Sequence, residues 1–194
     1  VIGVLVSGSG TNLQALIDIG LPISCVGSNN PGVLALERAE KAGIETGVFE
    51  LGDFADRSAR DTAMADWLIG HDAEWIVLAG YMHVLTPGFL DRFPKHVINL
   101  HPALCPSFPG THAIEDALAY GVRWTGVTVH FVDEGVDTGP IILQEPVEVG
   151  PDDTADTLAT RIHAVEHRLL PEATRLCLDG RVRLDESSRR VMIT

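Results

Sequence analysis

Short apolar runs alternate with segments of helical period along this chain, and that order admits few folds. Residues 1–6, 23–26, 46–49, 75–78 and 97–100 have strand length and strand composition. Residues 12–19, 33–42, 58–70, 87–93 and 112–120 carry helical periodicity between or after them. Repeated strand–helix order predicts an α/β fold with a doubly wound, mainly parallel sheet, because a parallel return needs a crossover. The runs 125–131 and 140–147 depart from the rule. The segment joining them is too short for a crossover helix, so an antiparallel element is expected near the C-terminal half. A last helix over 154–178 is expected to bury Leu158, Ile162, Val165 and Leu169, with Pro171 kinking or interrupting it. The tail after Leu184 has little pattern and is expected to be peripheral. No repeat, linker or second-domain boundary stands out, so a single domain over 1–194 is expected.

Such a fold needs a core, and 194 residues with 45% hydrophobic and 21% charged content can supply one. No apolar run reaches the roughly 18–20 residues that span a bilayer, so no membrane partner is expected. The opening VIGVLVSGSG lacks a basic leader and reads as a first strand rather than a signal peptide, with the chain beginning just inside its native start. Cys25, Cys105 and Cys177 are scattered and never in C-x-x-C spacing. That argues against a disulfide framework or a cysteine zinc site and for a reducing cytoplasm. A formal charge of −13 argues against nucleic acid as a partner. Any anionic ligand must then be held by local donors, such as helix N-termini and single arginines.

Pro102 ends the run Val97–Leu100, and residues two apart on a strand share a face. Asn99 and His101 therefore emerge side by side at the strand's carboxyl end, where parallel sheets bind ligands. An amide and an imidazole can hold an oxyanion and move a proton, and the carboxylate of Asp137 can set the imidazole's charge. The combination asks for acyl or one-carbon transfer; the plain alternative is a strand-end hydrogen-bonding pair. Gly8-Ser9-Gly10-Thr11-Asn12 follows a strand and opens a helix, which makes an anion site or a tight turn with a Thr11–Gln14 capping box. Leu13 replaces the third glycine of a dinucleotide fingerprint, Ser28-Asn29-Asn30 replaces its ribose-binding acid, and no Gly-Lys-Ser/Thr follows. A single phosphate fits better. His163-Ala164-Val165-Glu166-His167 matches an inverted zinc-protease motif. That motif needs a further carboxylate well downstream, and only residues 168–194 remain, so no metal is expected. The loop 133–137 is an acidic hairpin or a weak cation site without EF-hand spacing. His71, His96, His112 and His130 are expected to be surface or packing residues.

The segments INLHPALCPSFPG (98–110), TGVTVHF (125–131) and DTGPIILQ (137–144), with the opening VLVSGSGTNLQALID, resemble the folate-dependent formyltransferases. The resemblance runs from about residue 1 to about residue 184 and is nearest to the branch acting on phosphoribosylglycinamide (GAR). It implies a Rossmann-like formyltransferase domain, with its N-terminal half toward the nucleotide substrate and its C-terminal half toward folate. The implied reaction moves a formyl group from 10-formyltetrahydrofolate, as co-substrate, to the amino group of GAR in de novo purine biosynthesis, with no metal. The implied catalytic residues are Asn99, His101 and Asp137. Gly10, Thr11 and Asn12 would hold the ribosyl phosphate, while His163, Ala164, Val165 and Glu166 would contact the nucleotide substrate, Glu166 through the ribose hydroxyls. Arg57, Met82, His83, Val84, Leu85 and Asn99, with Asp133, Glu134, Gly135, Val136 and Asp137, would contact formyl-folate. Many relatives carry Arg where this chain has His83, and Leu where it has Cys105. The alternatives are a formyltetrahydrofolate hydrolase, a methionyl-tRNA formyltransferase and a non-catalytic nucleotide-binding module. The hydrolases usually add a regulatory domain, and the tRNA enzymes add an RNA-binding domain and positive surface. Oligomeric state is not legible in the sequence.

Overall fold

Ile2–Val6 (β1) is buried at every position, as expected of a strand covered on both faces. The computed structural model describes residues 1–185 and 187–194. It divides into two compact units, residues 1–98 and residues 99–194.

In the first unit, β1 is followed by Ile23–Ser28 (β2), Glu45–Val48 (β3) and Trp75–Leu78 (β4). They pair in parallel in the order β3-β2-β1-β4. Helices Thr11–Asp18 (α1), Leu34–Lys41 (α2) and Arg57–Gly70 (α3) form the connections. The chain steps outward from β1 to β3, then returns through α3 to the other side of β1. That reversal creates a switch point at the carboxyl ends of β1 and β4, the place where open α/β sheets receive ligands. Leu13 and Leu16 of α1, Ala35, Leu36 and Ala39 of α2, and Met64, Ala65 and Leu68 of α3 supply the buried helix faces. Asp56 caps α3 by accepting the Ala59 N–H at 2.8 Å. The helix expected over 87–93 is shorter, Pro87–Leu90 (α4). Beyond it the chain tightens into i→i+3 bonds at Arg92 and Phe93, because Pro94 disfavours helical geometry in the residue before it.

Val97–His101 (β5) runs across the boundary between the units. The second unit continues with Ala113–Tyr120 (α5), Trp124–Phe131 (β6), Ile141–Glu148 (β7) and Ala155–Leu178 (α6). β6 and β7 form the expected antiparallel pair, from Trp124 opposite Glu148 to His130 opposite Ile141. α6 packs on both strands. Its start carries a reciprocal Thr154–Thr157 capping box. The expected interruption at Pro171 does not occur, and α6 is continuous through it. Pro171 removes one N–H from the ladder, but it lies on the buried stripe with Leu169, Leu170 and Ala173, whose packing holds the helix together. The tail is also corrected. Val182–Asp185 (β8) and Arg190–Ile193 (β9) form an antiparallel hairpin, and β9 lies against β7. Among the described residues, no helix is long and apolar enough to cross a membrane.

Candidate active site

Asn99 and His101 reach the same carboxylate, as their spacing on β5 requires. Asn99 Nδ2 donates to Asp137 Oδ1 at 3.3 Å, and His101 Nδ1 lies 3.3 Å from Asp137 Oδ2. His101 Nε2 lies 2.7 Å from the Phe108 carbonyl oxygen. A carbonyl and a carboxylate only accept, so both ring nitrogens of His101 are matched only when both carry protons. His130, expected to be a packing residue, belongs to this cluster instead. Its Nε2 is 3.6 Å from Asp137 Oδ1 and 3.4 Å from Asn99 Nδ2, while Nδ1 is 2.7 Å from the Phe131 carbonyl. The Phe131 carbonyl takes the Nδ1 proton, and Nε2 faces the Asp137 carboxylate and the Asn99 amide. Alternation along β6 could have revealed it: Thr128 and His130 interleave with apolar Val127, Val129 and Phe131, and all five are buried.

Asp137 takes a left-handed backbone conformation, φ 53°. Burial raises its carboxyl pKa. The hydrogen bond from His130, the Gly110 N–H at 2.8 Å and the charges of His101 and His130 outweigh burial, so the group is held below the ordinary carboxylate range. Gly110 and Phe108 act through backbone atoms and left no mark in the side-chain pattern. The segment between them and β5 is pinned by Thr128. Its hydroxyl donates to the Ala103 carbonyl at 2.7 Å and accepts from the Cys105 N–H at 3.1 Å. Burial pushes the Cys105 thiol up, so this residue rests as a thiol rather than a thiolate. An amide donor, an imidazolium and one ionised carboxylate together can stabilise an oxyanion and carry a proton.

In the first unit, α1 starts at Thr11 after Gly10, which has φ 72° and forms no side-chain cap. The Thr11–Gln14 capping box is therefore absent. Gln14 instead donates to Asp18 at 2.8 Å and accepts from Arg38 at 3.2 Å. A Cβ on Gly10 would lie 2.6 Å from Ala35 Cα, so only glycine lets α2 come this close. Arg38 also donates to the Ser9 carbonyl at 2.9 Å and brings a positive charge to the turn. The first-turn N–H groups of α1, which have no acceptor within the helix, complete an anion-compatible surface. Arg38 sits on a helix with mixed charges, and its sequence position gave no hint of this role.

Arg57 opens α3 and donates to the Val84 carbonyl at 2.5 Å, so the structure joins Arg57 to the segment Met82–Leu85. Met82 and Val84 are exposed, whereas Leu85 is buried. The Met82 N–H donates to Ser7 Oγ at 2.9 Å, and Ser7 donates to Asn29, which ties together the segments after β1, β2 and β4. His83 Nδ1 is 2.6 Å from a guanidinium nitrogen of Arg60. Burial first, then the charges of Arg60 and Arg57, hold the His83 imidazole below its usual range. Arg60 is fully buried and paired at 2.7 Å with the equally buried Asp61. His83 thus presents a neutral ring beside the buried Arg60.

On α6, His163 and Ala164 are exposed, Val165 is half-buried and Glu166 is buried. The His163 and His167 rings stack with centroids 6.4 Å apart. Among the described residues, no group of three or more His, Cys, Asp or Glu side chains is placed to hold a metal ion. The acidic loop is closed by Asp133, which accepts from the Gly135 N–H and the Thr138 hydroxyl at 3.1 and 2.6 Å.

Comparison with known proteins points the same way. Residues 2–174 match the family model described as formyl transferase. The chain is 47% identical over 193 residues to the trifunctional purine biosynthetic protein adenosine-3 of Chironomus tentans, covering 95% of this chain and 14% of that protein. It therefore spans only about one seventh of that relative's length. It is 43% identical over 175 residues to phosphoribosylglycinamide formyltransferase of Mycobacterium tuberculosis, covering 88% of this chain and 81% of that one. Among solved structures, glycinamide ribonucleotide transformylase 1 from Symbiobacterium toebii superposes with a TM-score of 0.95 at 44% identity, covering 99% of this chain and 92% of that one. This chain belongs to the formyl transferase family.

Proposed function

We propose that this chain transfers a formyl group from 10-formyltetrahydrofolate to the amino group of GAR, a step of de novo purine biosynthesis. The observation that carries the reading is the single carboxylate of Asp137 gathering Asn99, His101 and His130 at the end of β5. The names borne by the Mycobacterium and Symbiobacterium relatives support GAR as the acceptor.

A neutral amine attacks a formyl carbon without a protein nucleophile, so the resting thiol of Cys105 takes no part. Attack forms the new C–N bond and moves charge onto the formyl oxygen. Asn99 Nδ2 donates to that oxygen as the charge develops, and the His101 imidazolium stabilises it through its positive charge. The attacking nitrogen must then lose a proton and the departing folate nitrogen must gain one. The His101 imidazolium gives its proton to the departing folate nitrogen, the neutral ring then takes the proton lost by the attacking nitrogen, and Asp137 stabilises the ring while it is charged. Cleavage of the old C–N bond releases formylated GAR and tetrahydrofolate.

Gly10, Thr11 and Asn12 hold the ribosyl phosphate at the start of α1, with Arg38 adding charge. Glu166 accepts from the ribose hydroxyls, and His163, Ala164 and Val165 adjoin it. Arg57, Met82, His83, Val84 and Leu85, with residues 133–137, receive formyl-folate, and His83 does so as a neutral ring. The reading treats 1–194 as one formyltransferase domain, with its N-terminal half toward the nucleotide substrate and its C-terminal half toward folate. The free cysteines Cys25, Cys105 and Cys177 fit a reducing cytoplasm. The test offers GAR, glycinamide, water and initiator tRNA as separate acceptors. Formylation of GAR alone is the expected result, and turnover with water or tRNA but not GAR overturns the reading.

A further inference from the structure

We propose that Arg189, in the turn between β8 and β9, is a positioning residue that holds the 133–138 loop in the shape that aims the Asp137 carboxylate. Its effect on turnover rests on the formyl-transfer reading above; its effect on Asp137 itself does not.

Asp137 sits in a left-handed conformation that side chains rarely adopt, and such a residue persists where its surroundings fix it. On one side the carboxylate is held by Asn99 and His101 from β5, His130 from β6 and the Gly110 N–H, with the Cys105 thiol also within its field. The backbone next to it is held from outside. An Arg189 guanidinium nitrogen donates to the Thr138 carbonyl at 2.6 Å and lies 3.5 Å from Asp133 Oδ2. The loop between these contacts is tightly folded, since a Cβ on Gly135 would lie 2.1 Å from Thr138 Oγ1. Arg189 is in turn placed by its own hairpin. Asp185 accepts from the Ser187 N–H and from the hydroxyls of Ser187 and Ser188, and Arg189 follows at φ 57°. β9 rests on β7, so the hairpin has its own anchor.

The Arg189 side chain is 65% exposed, and its pair with Asp133 adds little to global stability. Placement is a different matter, because a displacement of about 1 Å at a reacting group can cost about 100-fold in rate. The donors around Asp137 outweigh its burial, so loosening them moves its carboxyl back up toward the ordinary range.

The experiment compares the full chain with Arg189→Ala, Arg189→Lys and, as a neighbouring control, Arg190→Ala. It measures kcat and KM for GAR and titrates the Asp137 carboxyl by 13C NMR. Arg189→Ala is expected to lower kcat by about tenfold, leave KM for GAR within about twofold, and move the Asp137 titration to higher pH. Arg189→Lys, which can still donate to the Thr138 carbonyl, restores most of both, and Arg190→Ala changes neither. An unmoved Asp137 titration in Arg189→Ala, or equal damage from Arg190→Ala, overturns the clamp. A wild-type chain that does not formylate GAR, with an Asp137 titration that still shifts in Arg189→Ala, overturns the functional reading and leaves the clamp standing.

Discussion

Asp61 and Asp137 are both carboxylates buried near imidazoles, but the charge between carboxylate and ring differs. In the first unit, Asp61 is taken up by Arg60, and His83 faces the guanidinium rather than the carboxylate. A guanidinium does not release its proton, so the Asp61 charge is permanently matched, while burial and then the Arg60 charge hold the His83 imidazole below its usual range. In the second unit, Asp137 meets His101 and His130 directly. A proton can therefore enter and leave that cluster. The first arrangement builds a fixed structure, and the second can do proton chemistry. Burial acts on the His83 ring first, and the group in contact with it, a guanidinium in one unit and a carboxylate in the other, separates the two sites further.

Substitutions that neutralise each carboxylate separate the two regions. Asp137→Asn keeps the shape and removes the charge, and turnover is expected to fall by about 100- to 10,000-fold with little change in KM for GAR. Steady-state kinetics checks this, and near-wild-type turnover would end the proposed partnership with His101. Asp61→Asn is expected to fail differently. It strands the buried Arg60 charge, which costs about 3–5 kcal/mol, while the folded fraction keeps its turnover. Urea melts beside kinetics read both effects, and a stable but inactive Asp61→Asn would erase the distinction.

Smaller effects sharpen the contrast. Asn99→Ala removes an oxyanion donor and is expected to lower kcat by about 100- to 1,000-fold with the fold intact by circular dichroism. His83→Arg sets a second guanidinium beside Arg60. It is expected to destabilise the chain by about 0.5–1 kcal/mol, and a stabilised variant in thermal melts would show that Arg60 does not govern this position.

Much of the scaffold was legible because its determinants are local. Periodicity located β1 through α3, and the short link 132–139 forced β6 and β7 to be antiparallel. Asn99 and His101 were legible because strand alternation fixes their common face. Three features were not. Pro171 announces a break, and only the tertiary packing of α6 overrides it. The β8–β9 hairpin depends on side-chain bonds to Asp185 rather than on an apolar pattern, so the tail read as featureless. His130 lay in a strand whose buried run suggested packing, and its partner Asp137 comes from the far end of the following loop. The Arg38 and Arg60 contacts likewise join residues whose spacing carries no motif.

The central claim is that Asp137 is an ionised carboxylate held by donors, and its titration tests this directly. In the wild-type chain the Asp137 carboxyl, followed by 13C NMR, is expected to titrate below the ordinary carboxylate range. The stability it contributes is then present above its unfolded value, near about 3.9, and is lost as pH falls through the lower folded value. His130→Leu removes the leading donor and keeps the site buried, so the same carboxyl is expected to titrate at higher pH. A wild-type Asp137 that titrates within or above the ordinary range, unmoved by His130→Leu, would contradict the account.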